Sequence, residues 1–211
     1  MVIYNVQSNG DCHQLVIELI NDSVLIDAGS VAYVSGNINM DAATDTFTSK
    51  IKSYFIGSSI FKPKFHGTGK IYLNATLGNY HKFSLKNHEG LYIHPKVFIA
   101  CRDSVTLEPK LDLSLKNFLT GTPMIKMCAK GTGNVMVLMP GPVQECVLQD
   151  DKFVAIDTEI AAFSTKLQIS REIVGKTWLS GPKIARVYRG TGSLFFSPIP
   201  NKDSKSRIAK S

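Results

Sequence analysis

Several short patterns in the sequence bring together residue types that carry out chemistry in other proteins. Gly67-Thr68-Gly69-Lys70 looks like the end of a phosphate-binding loop. That motif needs Gly at position 64 and Ser or Thr at position 71, where this chain has Lys64 and Ile71. No Gly-Thr-Gly segment has the third glycine of a dinucleotide fingerprint, and apolar strand-like residues rather than a helix follow each one. These segments are therefore interpreted as structural.

The histidines invite a metal-site hypothesis, since His81, His88 and His94 fall within fourteen residues. A cupin-like metal site needs a His-x-His pair with a following Glu, and neither spacing is present. The Ser180-Gly-Pro-Lys183 segment matches a Ser-x-x-Lys pattern, but the related segments lack both residues. The sequence predicts no catalytic residues, no metal ligands and no cofactor, and so a protein that is not an enzyme.

The glycines belong to a pattern that occurs three times at a spacing of about 60 residues. Each copy has a single glycine, an apolar stretch and then Gly-Thr-Gly followed by a further apolar strand. Such a repeat predicts a duplicated supersecondary unit, with glycines where φ is positive or where backbones approach closely. Replacing Gly69, Gly133 or Gly192 by Val is then expected to destabilise by similar amounts, on the order of 1 to 3 kcal/mol. The predicted structural glycines are Gly57, Gly67, Gly69, Gly121, Gly131, Gly133, Gly181, Gly190 and Gly192.

A second half-motif predicts how the units close. Apolar hairpin-like stretches follow the first two Gly-Thr-Gly segments, at residues 91–100 and 153–163, and the matching third stretch lies near the amino terminus, at residues 24–34. The amino- and carboxy-terminal segments are therefore expected to complete one unit, with residues 15–19 pairing with the strand after Gly192. The result would be three antiparallel β units in a pseudo-threefold sandwich or prism.

Composition favours one all-β domain. Runs rich in Val, Ile, Phe, Thr and Tyr alternate with turn residues every 8 to 12 positions. Residues 1–200 are assigned to this domain and residues 201–211 to a basic polar tail. Only residues 111–119 and 167–175 look helical, and the polar residues 35–52 are expected to form a surface excursion between strands.

The charge distribution raises the question of nucleic-acid binding. The chain carries +7 overall, yet its first 49 residues hold six acidic and no basic side chains. The basic excess elsewhere could contact phosphates, and Lys62, Lys64 and Arg189 beside Gly-Thr-Gly segments are the candidate contacts. If the acidic strands lie beside basic neighbours, however, the field partly cancels. We expect nucleic-acid binding to be weak and abolished by salt.

The location expected from the sequence is the cytoplasm. The amino-terminal residues lack the basic character of a secretory or mitochondrial targeting signal, and no apolar run approaches the ~20 residues of a transmembrane helix. Four cysteines without Cys-x-x-Cys spacing suggest reduced, packed thiols. A component of a viral particle or of a membrane-associated complex is the alternative.

The repeat resembles that of the Altered Inheritance of Mitochondria, or mitochondrial biogenesis, family, whose bacterial members were long catalogued as a domain of unknown function. The resemblance covers residues ~10 to ~200 and is most specific over residues 55–73 and 178–196. It implies three units similar to the subunit of the tryptophan RNA-binding attenuation protein, and no established enzymatic activity. This chain departs from the family pattern at Thr68, Thr132 and Thr191, where Pro is frequent, and at Ser58-Ser59.

Together these features predict a non-enzymatic structural or assembly protein that is a subunit or scaffold of a larger complex. Its partners would be other protein subunits, in a homo- or hetero-oligomer. A nucleic-acid-binding module is the alternative, and a small-ligand or metal-dependent enzyme is a more distant one.

Overall fold

The structure is a computed structural model that describes residues 1–41, 62–86, 90–112, 124–156, 158–174 and 183–200. Within these ranges the chain forms two seven-stranded antiparallel sheets and two short 3₁₀ turns, and no α-helix. The predicted all-β fold class is therefore confirmed.

The first sheet, sheet A, has the strand order β3-β4-β2-β7-β10-β5, with β1 paired along part of β2. Its strands are β1 (Val2–Asn9), β2 (Cys12–Ile26), β3 (Val31–Asp41), β4 (Lys64–Leu73), β5 (Asn79–Leu85), β7 (Phe98–Arg102) and β10 (Gly133–Met139). The 3₁₀ turn Ala28–Ser30 joins β2 to β3.

The second sheet, sheet B, has the order β11-β14-β12-β6-β9-β8, with β13 paired along part of β14. Its strands are β6 (Leu91–Ile93), β8 (Val105–Asp112), β9 (Met124–Gly131), β11 (Gln144–Ala155), β12 (Thr158–Ser164), β13 (Gln168–Val174) and β14 (Lys183–Pro200). The 3₁₀ turn Pro95–Val97 lies between β6 and β7, where the chain passes from sheet B to sheet A.

The three sequence copies are distributed unequally over the two sheets. The first Gly-Thr-Gly segment lies in β4 of sheet A and the third in β14 of sheet B. The second lies at the junction of β9 and β10, so one half of this copy belongs to sheet B and the other half to sheet A. The middle copy thus ties the sheets together, and the predicted pseudo-threefold symmetry is not confirmed.

The chain ends do not complete one unit as predicted. Residues 15–19 pair with β1, where Tyr4 is opposite Ile17, and with β4, where Ile71 is opposite Ile17. The strand after Gly192 pairs instead with β11 and β12 in the other sheet. A two-residue connection with Gly10 at φ +57° joins β1 to β2, and this hairpin supplies the partner that the prediction assigned to the carboxy-terminal strand.

Two further predictions about local structure are wrong. Residues 168–174 form β13, which pairs along its whole length with β14, rather than a helix. Residues 35–41 of the predicted surface excursion belong to β3. The rest of that stretch, residues 42–52, and residues 113–119 of the other predicted helix lie outside the described ranges.

Three clusters of buried side chains form the core. One lies within the amino-terminal part of sheet A and is built around Leu15, Ile17 and Ile71. A second, around Phe163, Tyr188 and Leu194, lies within sheet B. The third draws residues from both sheets, including Val135 of β10 and Ala162 of β12, and so fills the space between them.

Candidate functional site

The Gly-Thr-Gly segments are the most regular local feature of the structure. The backbone has positive φ at both glycines of every segment: 131° and 158° in the first, 109° and 155° in the second, and 116° and 155° in the third. L side chains rarely adopt such values. Six of the predicted structural glycines are described and have this geometry: Gly67, Gly69, Gly131, Gly133, Gly190 and Gly192. The single glycines at positions 57, 121 and 181 lie outside the described residues.

The threonine between the glycines binds the strand opposite it in two of the copies. In β2 and β11 the register with the glycine-bearing strand shifts, and the bulged residues Asn21 and Asp150 have φ of 46° and 54°. The Asn21 backbone N–H donates to Thr68 Oγ1 at 3.0 Å, and the Asp150 N–H donates to Thr191 Oγ1 at 3.1 Å. The hydroxyl therefore satisfies a donor that the β-bulge removes from the ladder. Sequence reasoning missed this role, although the identical residue in all three copies was a signal for it.

In the second copy the hydrogen bond has a different form. The β7-β8 turn replaces the bulge, and Ser104 Oγ donates to the Thr132 carbonyl oxygen at 2.6 Å. The three segments thus share a backbone shape but not one hydrogen-bonding pattern.

Beside the first segment, charged side chains and one serine from β2, β4, β7 and the β7-β8 turn form a network that we call the charged cluster: Asp22, Ser23, Lys64, Arg102 and Asp103. Lys64 Nζ lies 2.7 Å from Asp103 Oδ2, and Ser23 Oγ donates to the same oxygen at 3.0 Å. Arg102 donates to Asp22 Oδ2 at 2.8 Å. Each cation of the cluster therefore has a carboxylate partner.

The pKa values of the cluster follow from these contacts. Burial acts to raise the pKa of Asp22, but hydrogen bonds from the Ser23 N–H and the terminal amine, together with Arg102, outweigh burial and lower it. The hydrogen bond to Asp103 raises the pKa of Lys64. Both shifts favour the charged forms of Asp22 and Lys64.

An open pocket of about 440 Å³ lies against the charged cluster, lined by Asn21, Asp22, Ser23, Asp41, Lys64, His66 and Gly67. In its wall, His66 Nδ1 is buried and lies 3.3 Å from Asp41 Oδ2 without forming a hydrogen bond. Its lining combines the carboxylates of Asp22 and Asp41 with the ammonium group of Lys64, so charges of both signs border it.

The structure does not bring the three candidate phosphate contacts together. Lys62, whose side chain is 10% exposed, pairs with Asp27 Oδ1 at 2.5 Å, and its ammonium lies 5.1 Å from the centre of the Phe98 ring. Arg189 lies in the other sheet from Lys64, at 2.7 Å from Glu172 Oε1. All three cations are engaged with carboxylates, so their role in phosphate binding stays a prediction.

Two of the six acidic residues among the first 49 lie beside basic partners, which agrees in part with the interpretation that neighbouring charges cancel. Asp22 faces Arg102 and Asp27 faces Lys62. These partners come from residues 62–102 rather than from the carboxy-terminal strand. The charge asymmetry of the sequence is thereby partly cancelled in space.

The described histidines lie apart from one another. His81 of β5 packs edge-on against Phe83, with ring centres 4.6 Å apart, whereas His94 precedes the second 3₁₀ turn and its Nδ1 accepts from the Lys96 N–H at 3.4 Å. His88 lies outside the described ranges. Among the residues that the structure describes, no group of three or more His, Cys, Asp or Glu side chains is placed to hold a metal ion.

A helix can cross a membrane only if it is long and apolar. In the described ranges, no helix has the length and apolar character needed to cross a bilayer.

Comparison with known proteins places the fold among relatives. A family profile described as mitochondrial biogenesis AIM24 matches residues 4–199. A Streptococcus pyogenes protein, whose crystal structure was solved in a structural genomics programme, superimposes with a TM-score of 0.75 at 17% identity. The superposition covers 100% of this chain and 99% of the bacterial one, so the two proteins share the whole fold. No curated protein sequence matches the chain.

Proposed function

Since this chain belongs to the mitochondrial biogenesis AIM24 family, we propose that it is a non-enzymatic structural or assembly protein, a subunit or scaffold of a larger protein complex. The family description supports a link to mitochondrial biogenesis and does not specify the chemistry. Support for an assembly role comes from how this chain uses its polar and apolar side chains.

The observation that carries the proposal is the pairing of charges around the Gly-Thr-Gly segments. Lys64, Arg102 and Arg189 each contact a carboxylate within 3 Å. A catalytic or phosphate-binding site needs groups that remain available to the substrate, and often a pKa displaced toward neutrality. Here carboxylates of neighbouring strands or turns occupy the cations, which favours a structural role for the segments.

A second observation concerns apolar surface. Thirteen large apolar side chains of the described ranges are exposed by about 40% or more, among them Tyr33, Met40, Ile173 and Ile184. Ile173 and Ile184 are partners across the β13-β14 ladder. Apolar side chains on strand edges favour association with other protein surfaces, and contacts of this kind persist when salt screens charges.

The test is co-purification of the full chain from the cells that produce it, at low and high salt, with nuclease treatment. A protein assembly keeps its partners when the salt concentration rises and when nucleic acid is digested. A phosphate reader with six or more contacts loses roughly 10³-fold or more in affinity between 50 and 200 mM salt. Partners that disappear under both treatments would overturn the proposal in favour of nucleic-acid binding.

We further propose that the protein works in a reducing compartment, with the cytoplasm as the simplest assignment. All four cysteines are free thiols, with Cys101 and Cys128 buried and Cys12 exposed. Cell fractionation tests this assignment, and an exclusively mitochondrial signal would contradict it.

A further inference from the structure

The edge strands of the two sheets differ in how they are protected. Strand edges expose unpaired backbone N–H and C=O groups, and proteins commonly block such edges with charges, prolines or bulges. Among the described residues, β8 carries Pro109, β11 has the bulge at Asp150, and β13 and β5 carry Arg171 and Lys82. These four edges therefore have recognisable protection against pairing.

Strand β3 has none of these devices along most of its length. Among the residues that the structure describes, it is a terminal strand of sheet A, and its 11 residues contain no Lys, Arg or Pro and carry their only charge at the last position, Asp41. After an irregularity at its start, its register with β4 is unbroken from Tyr33 to Asp41. The backbone departs from ordinary strand geometry at Gly36, where φ is +96°, but a neutral edge with a continuous register is suited to pairing with a further strand.

The side chains of β3 add apolar surface to this edge. Tyr33, Val34 and Met40 are 55%, 45% and 63% exposed. The Tyr33 ring stacks on Tyr72, with centroids 4.4 Å apart and an interplanar angle of 16°. Because this stacking already fixes the ring, binding at the edge would cost little additional side-chain entropy.

The uncharged strand β1 provides a comparison. It has eight residues, and its Val2 and Tyr4 pack against the core of sheet A. Val6 is its exposed apolar residue, at 45%. The edge of β1 therefore offers less apolar surface than that of β3.

We propose that a second copy of this chain docks on β3, with the two β3 strands pairing antiparallel about a twofold axis near Gly36 and Asn37. This inference rests on the proposed assembly function and adds to it one weak contact between copies of the chain. The resulting interface is isologous, and it brings Val34 of one copy close to Met40 of the other.

The charge distribution along β3 favours a second copy of the chain as its partner. In the antiparallel arrangement residues 33–41 of the two copies face one another, so that each Asp41 lies opposite the neutral Tyr33 and the two carboxylates lie at opposite ends. About eight residues separate these ends, or roughly 27 Å along the strands, which is about three Debye lengths at physiological ionic strength. A second copy therefore matches the edge without placing like charges together.

The expected dimer is weak. Stable interfaces bury about 1,200 to 2,000 Å², and one pair of strands with a few apolar side chains falls below that range. The dimer should consequently form in a concentration-dependent manner.

Analytical ultracentrifugation of the full chain tests the proposal. The protein is measured between about 1 µM and about 1 mM, the range for weak complexes, together with two variants of opposite charge. The wild-type mass should rise from 23.2 kDa toward twice that value. Val34→Lys/Met40→Lys and Val34→Glu/Met40→Glu should each weaken self-association at least tenfold, whereas an equimolar mixture should restore the dimer at low salt. Val6→Lys is the matched control, since Val6 and Val34 are equally exposed, and it should associate like the wild type.

A wild-type chain that stays monomeric at the highest concentration would overturn the proposal, as would charged variants that dimerise normally. If a variant fails to fold, as judged by circular dichroism, amide hydrogen exchange of the wild type decides the question. Amide hydrogen exchange in residues 31–41 should slow as the protein concentration rises, whereas exchange in β1 should not change. The reverse pattern, or unchanged exchange in both strands, would refute the β3 interface. If partners that resist salt are recovered from cells but the β3 dimer does not form, the β3 interface is refuted and the assembly function is not.

Discussion

The Gly-Thr-Gly glycines should differ sharply in their tolerance of a side chain, even though all six share positive φ. The sequence repeat predicts comparable effects at Gly69, Gly133 and Gly192, but the surroundings of the six glycines are unequal. A Cβ at Gly69 would overlap the Ser35 carbonyl oxygen and approach Gly36 Cα to 3.1 Å, so the clash is with the backbone of β3. At Gly190 the nearest atom, the Lys166 carbonyl oxygen, is 3.5 Å away, an ordinary contact distance.

The magnitudes follow from two contributions. Placing Ala at a strained positive φ costs about 1 to 3 kcal/mol, and both sites bear this cost. At Gly69 the strand must also move by roughly 1 Å to restore a normal C···O separation, which adds on the order of 2 kcal/mol or more. With about 2 to 4 °C per kcal/mol for a chain of this size, Gly69→Ala should lower Tm by roughly 6 to 20 °C, and Gly190→Ala by roughly 2 to 12 °C and always by less.

Thermal and chemical denaturation of the two variants, prepared side by side, measures this difference. Gly133→Ala, where the nearest atoms are side chains at 3.1 Å, should lie between them because side chains can adjust more easily than backbone. Equal losses at Gly69 and Gly190 would show that φ strain alone governs the segments. A larger loss at Gly190 would refute the close-approach reasoning.

Three other perturbations test individual contacts. Thr68→Val should cost about 0.5 to 1.5 kcal/mol, because the Asn21 N–H loses its acceptor; an unchanged denaturation midpoint would contradict this. Lys62→Met should cost on the order of 2 to 3 kcal/mol by leaving the partly buried Asp27 without its cation, and adding Asp27→Asn should recover part of that loss in a double-mutant cycle. Burial lowers the pKa of His94, so the unfolded chain binds the proton more readily and stability should fall as the pH drops below about 6.5; His94→Asn should flatten that part of the stability profile, and an unchanged profile would be inconsistent with the burial.

Local structure was more accessible from the sequence than topology. The repeated glycines pointed to special backbone conformations because positive φ is a property of one residue and its neighbours, and Gly67 and Gly133 have it. The pairing of residues 15–19 depends on which strand edge is available in the folded chain. Gly10 in a short turn after β1 was a local signal for the hairpin that occupies this edge.

The candidate site was less predictable than the fold. The charged cluster joins Asp22 to Arg102 and Lys64 to Asp103, residues that are distant in sequence and meet because β2 pairs with both β4 and β7. Counting charges along the chain could suggest cancellation but could not identify the partners. Residues 168–174 show the same limit for secondary structure, since their ladder with β14 overrides a weak local preference.

The central claim, that this chain is a structural subunit whose partners are proteins, is tested most directly by the native mass of the endogenous complex after nuclease digestion in 500 mM salt. We expect a particle distinctly heavier than the 23.2 kDa chain, with protein as its other component. A mass that falls to that of a single chain under these conditions would exclude a stable protein assembly.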